Sequence, residues 1–281
     1  MAGGGKRRPD LSEALEIVER TDVGRRRDHN EDCVGSDAAH GIAALADGMG
    51  GHNAGEVASG MAIESVLRDL PERLDTLVEA EENGQAWAPE SLVAGNVLEQ
   101  SNRAIHEAAS NQPQYQGMGT TVVVAVFYDD RLTIAHVGDS RVYRLRDGAL
   151  EQLTRDHTLL QELVDRGFYT YEEARQSLNR NIVTRALGVE PEVKVDLQEE
   201  IALPGDLYLL CSDGLNDMLD DEVIRLTLTQ FGANLDEAAD RLVDRANEQG
   251  GADNISVVLV RVVKSYSSRQ SWFRRIVDWF Q

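Results

Sequence analysis

Three times along this chain a short apolar run ends on an aspartate beside a glycine: Ala46-Asp47-Gly48, Val137-Gly138-Asp139-Ser140 and Cys211-Ser212-Asp213-Gly214. A carboxylate placed where a strand stops and the backbone turns has its side chain free to face a cleft. Two more acidic pairs, Glu31-Asp32 and Asp253-Asn254, lie near the first and last strand-like stretches. Any single Asp-Gly is most often a plain turn. Five acidic loops at strand ends call for a fold that can bring them to one place, where like charges repel unless cations neutralise them.

The runs carrying these loops come in blocks. Ile42 to Ala46 is a short strand that cannot continue through Asp47-Gly48-Met49-Gly50-Gly51. Val57, Met61, Ala62, Val66 and Leu70 then recur at helical spacing, and a second helix from about Ser91 to Ala109 is expected to lie beside the first. Thr121 to Phe127, Arg131 to Val137 and Arg141 to Leu145 are β-branched runs that read as an antiparallel meander. Strands resume at Leu207 to Cys211 and Ile255 to Val263, with helices at Asp221 to Gln230 and Leu235 to Gln249 between them. This segregation predicts an α+β sandwich rather than a doubly wound parallel sheet.

The polar, helix-prone stretch from Thr154 to Leu187 interrupts the strand pattern and reads as an inserted flap. Residues 1–20 are set apart as an N-terminal extension, in which Leu15 to Val18 fits helix or strand, and 21–263 as one domain. From Lys264 to Gln281 there are four basic residues against one acidic, with Trp272, Phe273, Ile276, Val277 and Phe280 on one side of a helix. This tail is expected to pack on its own domain, with docking to a partner or a membrane surface as the alternative.

A formal charge of -21, from 49 acidic and 28 basic residues, argues against a nucleic-acid partner or an anionic membrane. There is no apolar run of membrane-spanning length, and no apolar segment follows the basic N-terminus, so a cytoplasmic protein is expected. Cys33 and Cys211 show no metal-ligand spacing and read as buried thiols in a reducing compartment. The histidines form no HExxH pattern, and both His52 and His157 read as structural. An all-oxygen ligand set suits magnesium or manganese, whereas zinc would recruit His or Cys.

Taken together, Arg27-Asp28-His29-Asn30-Glu31-Asp32, Asp47-Gly48-Met49-Gly50-Gly51-His52, Gly117-Met118-Gly119-Thr120-Thr121, Gly138-Asp139-Ser140-Arg141, Ser212-Asp213-Gly214-Leu215 and Asp253-Asn254-Ile255-Ser256 resemble the ordered motifs of the bacterial PPM (type 2C) metal-dependent serine/threonine phosphatases. The resemblance covers about Thr21 to Val263. It implies a four-layer α-β-β-α sandwich of two antiparallel sheets flanked by helices, with two divalent cations, Mn2+ or Mg2+, in a cleft at one end. It implies that Asp47 bridges both ions, that Asp213 and Asp253 complete the first site, and that Glu31 with the Gly48 carbonyl serves the second. Asp139, with Asp213, matches a third and weaker metal position, and Arg27 matches the phosphate-binding arginine. Asp47, Asp213 and Arg27 are thus the candidate catalytic residues, and the flap is linked to substrate choice. Phosphorylated proteins are the implied substrates, an opposing serine/threonine kinase the implied counterpart, and a monomer is expected. Animal members carry a histidine directly after the Asp-Gly; here that place is Met49. The first candidate for the leaving-group proton is then a metal-bound water, and the second is His52.

Other classes fit less well. A cysteine-dependent phosphatase needs arginine six residues after the nucleophile, and those places hold Ala39 and Asp217. Metallophosphatases of the GDxHG type need histidine ligands that Gly138-Asp139-Ser140-Arg141 lacks, and no Walker-type lysine loop occurs. A relative that kept the fold and lost its ions as an inert binding module remains the alternative, although every expected carboxylate is present.

Overall fold

In the computed structural model the apolar runs are continuous rather than alternating because their strands are covered on both faces. The structure describes residues 8–51, 54–77, 86–169 and 182–267. One sheet has the order β1 (Leu15–Asp22), β11 (Ile255–Val262), β10 (Leu207–Cys211), β7 (Arg141–Arg146), β8 (Ala149–Gln152). The other runs β2 (Asp32–Asp37), β3 (Ile42–Met49), β5 (Val122–Tyr128), β6 (Arg131–Val137), β9 (Asp196–Ile201), with β4 (Gly119–Thr120) added to the end of β3. All of these pairings are antiparallel.

Strand side chains alternate between two cores with the period of two that a pleated strand imposes. Val258, Val260 and Val262 of β11 meet Val123, Ala125 and Phe127 of β5 between the sheets. Ile255, Val257 and Leu259 turn outward against α5 (Asp221–Phe231) and α6 (Leu235–Glu248). On the far side, Val122, Val124 and Val126 pack against α1 (Ala54–Asp75) and α2 (Pro89–Asn111). The layers are therefore helices, sheet, sheet, helices. Among the described residues, no helix is long and apolar enough to cross a membrane.

Caps fix where the helices begin. Asp220 accepts the Val223 N–H at 2.9 Å to start α5, and Asn234 accepts the Glu237 N–H to start α6. Glu199, on β9, accepts from the Ala88 N–H at 2.7 Å and from the Ser91 hydroxyl, which ties the first turn of α2 to the sheet beneath it.

The structure departs from the sequence reading in three places. The expected meander is a β5–β6 hairpin followed by a crossing: at Gly138, whose φ of +110° suits glycine, the chain leaves one sheet and enters the other as β7. The packed body also extends past both ends of 21–263. Leu15–Asp22 is a full strand paired with β11, and Tyr266 is buried against Phe127, where its hydroxyl donates to the Arg131 carbonyl at 2.9 Å. Hydrophobic burial and backbone pairing claim both segments. Last, β2, β8 and β9 are strands that the apolar pattern did not mark. The amphipathic part of the tail and the middle of the flap, 170–181, lie outside the described residues; the described part of the flap holds α3 (Leu159–Asp165), bridged by Thr158 to Val183.

Candidate metal centre

Both sheets end their strands at the same pole of the sandwich. Asp47 comes from β3 and Asp139 from the turn after β6; Asp213 opens a short helix, α4 (Asp213–Asn216), directly after β10, and Asp253 precedes β11. Asp32 begins β2 and stands directly opposite Asp47 in the antiparallel register. Two like charges opposite each other on a sheet are destabilising. The backbone beneath them is held firmly: the Thr120 hydroxyl and the Thr121 N–H each donate to the Asp47 carbonyl at 2.8 Å.

Glu31 reaches the pole by a different route. The Gly48 N–H donates to the Glu31 carbonyl at 3.0 Å, and the Gly55 N–H in the first turn of α1 donates to the Glu31 carboxyl, a favourable place for an anion. A Cβ at Gly48 would collide with the backbone of Gly55 and Glu31, so only glycine lets the strand pass this close. Asn254 joins the remaining loops. Its Oδ1 accepts the Glu31 N–H at 2.8 Å, while its Nδ2 donates to the carbonyls of Val23 at 3.0 Å and His29 at 2.9 Å.

Burial and mutual repulsion act together on these acids. Burial first, and then Asp32, Asp213, Asp139 and Asp253, raise the Asp47 carboxyl well above the usual carboxylate range. Asp213 is raised in the same way, by burial and then by Asp139 and Asp253. Burial also lifts Asp32 and Asp139 to about 6, in the second case helped by Asp156 and opposed by Arg141. Glu31 is raised by burial against the pull of Arg27. One oxygen of Asp32 accepts from the Ser212 hydroxyl at 2.8 Å, but its other oxygen and Oδ1 of Asp213 are buried with no hydrogen-bond partner among the described residues. Orphaned carboxylate oxygens in a dry acidic cluster are the signature of a place that accepts cations, and the all-oxygen donors fit Mg2+ or Mn2+. Among the described residues, no three acidic, histidine or cysteine groups already close around one point as a finished ligand set. The carboxylates instead lie close enough to raise one another's pKa.

The pole thus gathers Glu31, Asp47, Gly48, Asp139, Asp213 and Asp253. Arg27 is there too, its guanidinium donating to Asp253 at 2.7 Å from a half-exposed position. Met49 closes on Gly119 rather than offering a proton, and His52 lies outside the described residues. His157 is structural: its Nδ1 accepts the Gly138 N–H at 3.0 Å, its Nε2 lies 3.2 Å from Asp196, and its ring stacks on His136 at 4.7 Å. Burial pushes its pKa down to about 4, so it is neutral as that hydrogen bond requires. Sequence reasoning did not single out Asp32 and Asn254 as site residues, although both stand inside motifs it quoted. The signal was their place beside Glu31 and Asp253; what was missing was the register that sets Asp32 against Asp47 and the long reach of one amide.

A protein phosphatase 2C family model matches residues 24–253. The chain is 41% identical over 258 residues to the serine/threonine protein phosphatase PstP of Mycobacterium tuberculosis, covering 89% of this chain and 45% of that protein, so it spans about half the length of this curated relative. It is 40% identical over 244 residues to the serine/threonine phosphatase stp of Listeria innocua, covering 86% of this chain and 93% of that one. Among solved structures, the PstP catalytic domain in complex with two manganese ions superposes with a TM-score of 0.75 at 40% identity, over 89% of this chain and 99% of that one. Stp1 from Staphylococcus aureus superposes with a TM-score of 0.78 at 33% identity, over 93% and 99%.

Proposed function

The chain belongs to the protein phosphatase 2C family, and from that premise we propose that it hydrolyses phosphoserine and phosphothreonine in other proteins with the help of two divalent cations, Mn2+ or Mg2+. The convergence of buried acids from both sheets, two of them with orphaned oxygens, carries this reading. Asp47 is assigned to both ions, Asp213 and Asp253 to the first, Glu31 and the Gly48 carbonyl to the second, and Asp139 with Asp213 to a weaker third. When bound, such ions lower the pKa of a water and neutralise phosphoryl oxygens, which a phosphate monoester needs because its uncatalysed hydrolysis is among the slowest reactions known.

The chain's own residues supply the rest. Arg27 presents a planar fork of donors that matches two phosphate oxygens, so on substrate arrival it exchanges the Asp253 carboxylate for the phosphate. Asn254 holds the loops of Arg27 and Glu31 at fixed distance from Asp253. Met49 has no proton to give, so the seryl or threonyl oxygen must be protonated by something other than the residue following Gly48. Inert binding is disfavoured, because a scaffold without ions has no use for carboxylates whose burial destabilises it.

Phosphoproteins made by a serine/threonine kinase are the proposed substrates, and a cytoplasmic monomer the proposed form. The free thiols of Cys33 and Cys211 fit a reducing compartment. Titration calorimetry with Mn2+, paired with turnover of para-nitrophenyl phosphate and a phosphothreonine peptide, tests the reading. Ion uptake with chelator-sensitive turnover is expected; activity that survives chelation would refute it.

A further inference from the structure

The loop before Glu31 holds three consecutive arginines, Arg25, Arg26 and Arg27, in a chain of net charge -21. Among the described residues, Arg27 is the one of the three whose side chain has a partner, Asp253. Among the described residues, the side chains of Arg25 and Arg26 make no hydrogen bond or ion pair, and both residues are exposed. Most other arginines in the described body are neutralised: Arg20 by Asp236 and Asp240, Arg141 by Asp156, Arg144 by Glu151 and Glu200, Arg146 by Asp206. Two uncompensated cations beside a third repel one another, and on a surface with excess acid they could have been paired.

The loop does not wander. The Arg25 N–H donates to the Gly251 carbonyl at 2.7 Å, the Gly24 N–H to Asp22 at 2.8 Å, and Asn254 holds Val23 on one side and His29 on the other. Arg25 and Arg26 are therefore displayed from a fixed backbone, two and one Cα steps of about 3.8 Å from Arg27. An extended peptide advances about 3.3 Å per residue, so the residues that flank one whose phosphate lies at Arg27 pass within reach of two long cationic side chains on the adjoining turn.

We propose that Arg25 and Arg26 select phosphorylated segments that carry further negative charge within a few residues of the scissile phosphate. This rests on the phosphatase reading above. The chemistry is anionic recognition by guanidinium groups, and the charge can come from acidic side chains or from a second phosphate. At this edge of the site the arginines oppose the repulsion that a chain of net charge -21 would exert on such a segment.

The test measures kcat/KM with Mn2+ for three phosphothreonine peptides of equal length: one with neutral flanks, one with glutamates, one with a second phosphothreonine. Para-nitrophenyl phosphate, which has no flanks, serves as the rate reference for each variant. Wild type should favour the glutamate peptide over the neutral one by about tenfold, a preference that shrinks as salt is raised, as screened ion pairs must. The Arg25→Ala/Arg26→Ala double variant should bring the ratio near one through KM, and Arg25→Lys/Arg26→Lys should restore most of it. A gain for the doubly phosphorylated peptide alone identifies phosphate as the source. A ratio unchanged in the alanine variant, or equal losses on neutral and charged peptides, overturns the proposal while leaving the phosphatase reading intact. No turnover of any substrate by wild type overturns both.

Discussion

The two ends of strand β10 carry the same residue type to opposite purposes. Asp206, just before the strand, is 2% exposed, and Arg146 meets it with two hydrogen bonds of 2.7 and 2.6 Å, joined by the Leu203 N–H and the Tyr208 hydroxyl. Burial alone would raise its pKa, but these donors hold it below the usual carboxylate value. Asp213, just after the strand, has acidic neighbours and, among the described residues, one oxygen without a partner, and its pKa is pushed well up. One end is finished by the protein itself. The other is left to be completed by something with positive charge.

The sharpest way to break this contrast is Asp213→Asn. Turnover of para-nitrophenyl phosphate should fall by at least about a thousandfold, since losing a direct ligand exceeds the ~10–100-fold cost of losing a supporting hydrogen bond, while denaturant stability in chelator should not fall. Near-normal rates would refute the ligand assignment. At the other end, Asp206→Asn should leave the rate per folded molecule alone and cost about 3 kcal/mol in urea unfolding, because Arg146 loses its charge partner. A loss of activity without loss of stability would erase the distinction.

Asn254→Ala sits between these extremes. It cuts three hydrogen bonds that space the acidic loops, so kcat/KM should drop by ~10–100-fold with weaker Mn2+ uptake by calorimetry; retained ion affinity would mean that the loops hold their own positions.

The smallest effect is in the pH dependence, where the two ends should differ in sign. The raised pKa of Asp213 contributes stability present at low pH and lost as pH rises, so in chelator Asp213→Asn should gain on wild type as pH is raised above the usual carboxylate range. The lowered pKa of Asp206 contributes stability present above the unfolded value and lost on acidification, so the penalty of Asp206→Asn should shrink below about pH 4. Melting curves across that range, in chelator, check both. Parallel pH profiles for the two variants would show that the ends of β10 do not differ electrostatically.

How much of this was legible depended on whether the information was local. Ala46-Asp47-Gly48 and Cys211-Ser212-Asp213-Gly214 announce a carboxylate at a strand end because hydrophobic run, acid and turn are contiguous. The strands β8 and β9, Ala-Leu-Glu-Gln and Asp-Leu-Gln-Glu-Glu-Ile, are edge strands with little apolar content, and only their partners make them strands. The crossing at Gly138 was hidden for a related reason: three β-branched runs in series look the same whether the third stays in its sheet or changes sheets. The depth of Asp32 and the triple grip of Asn254 belong to register and loop contact, which no window of sequence contains.

The seam between the sheets ends at the acidic pole. Asp47 belongs to a strand of one sheet, Asp213 and Asp253 flank strands of the other, and the valines and Phe127 that join the sheets lie deeper along the strands. An ion gripped by all three would act as a rivet at the open end of that seam. Mild denaturant should then loosen the rivet, and the activity with it, before the interior gives way.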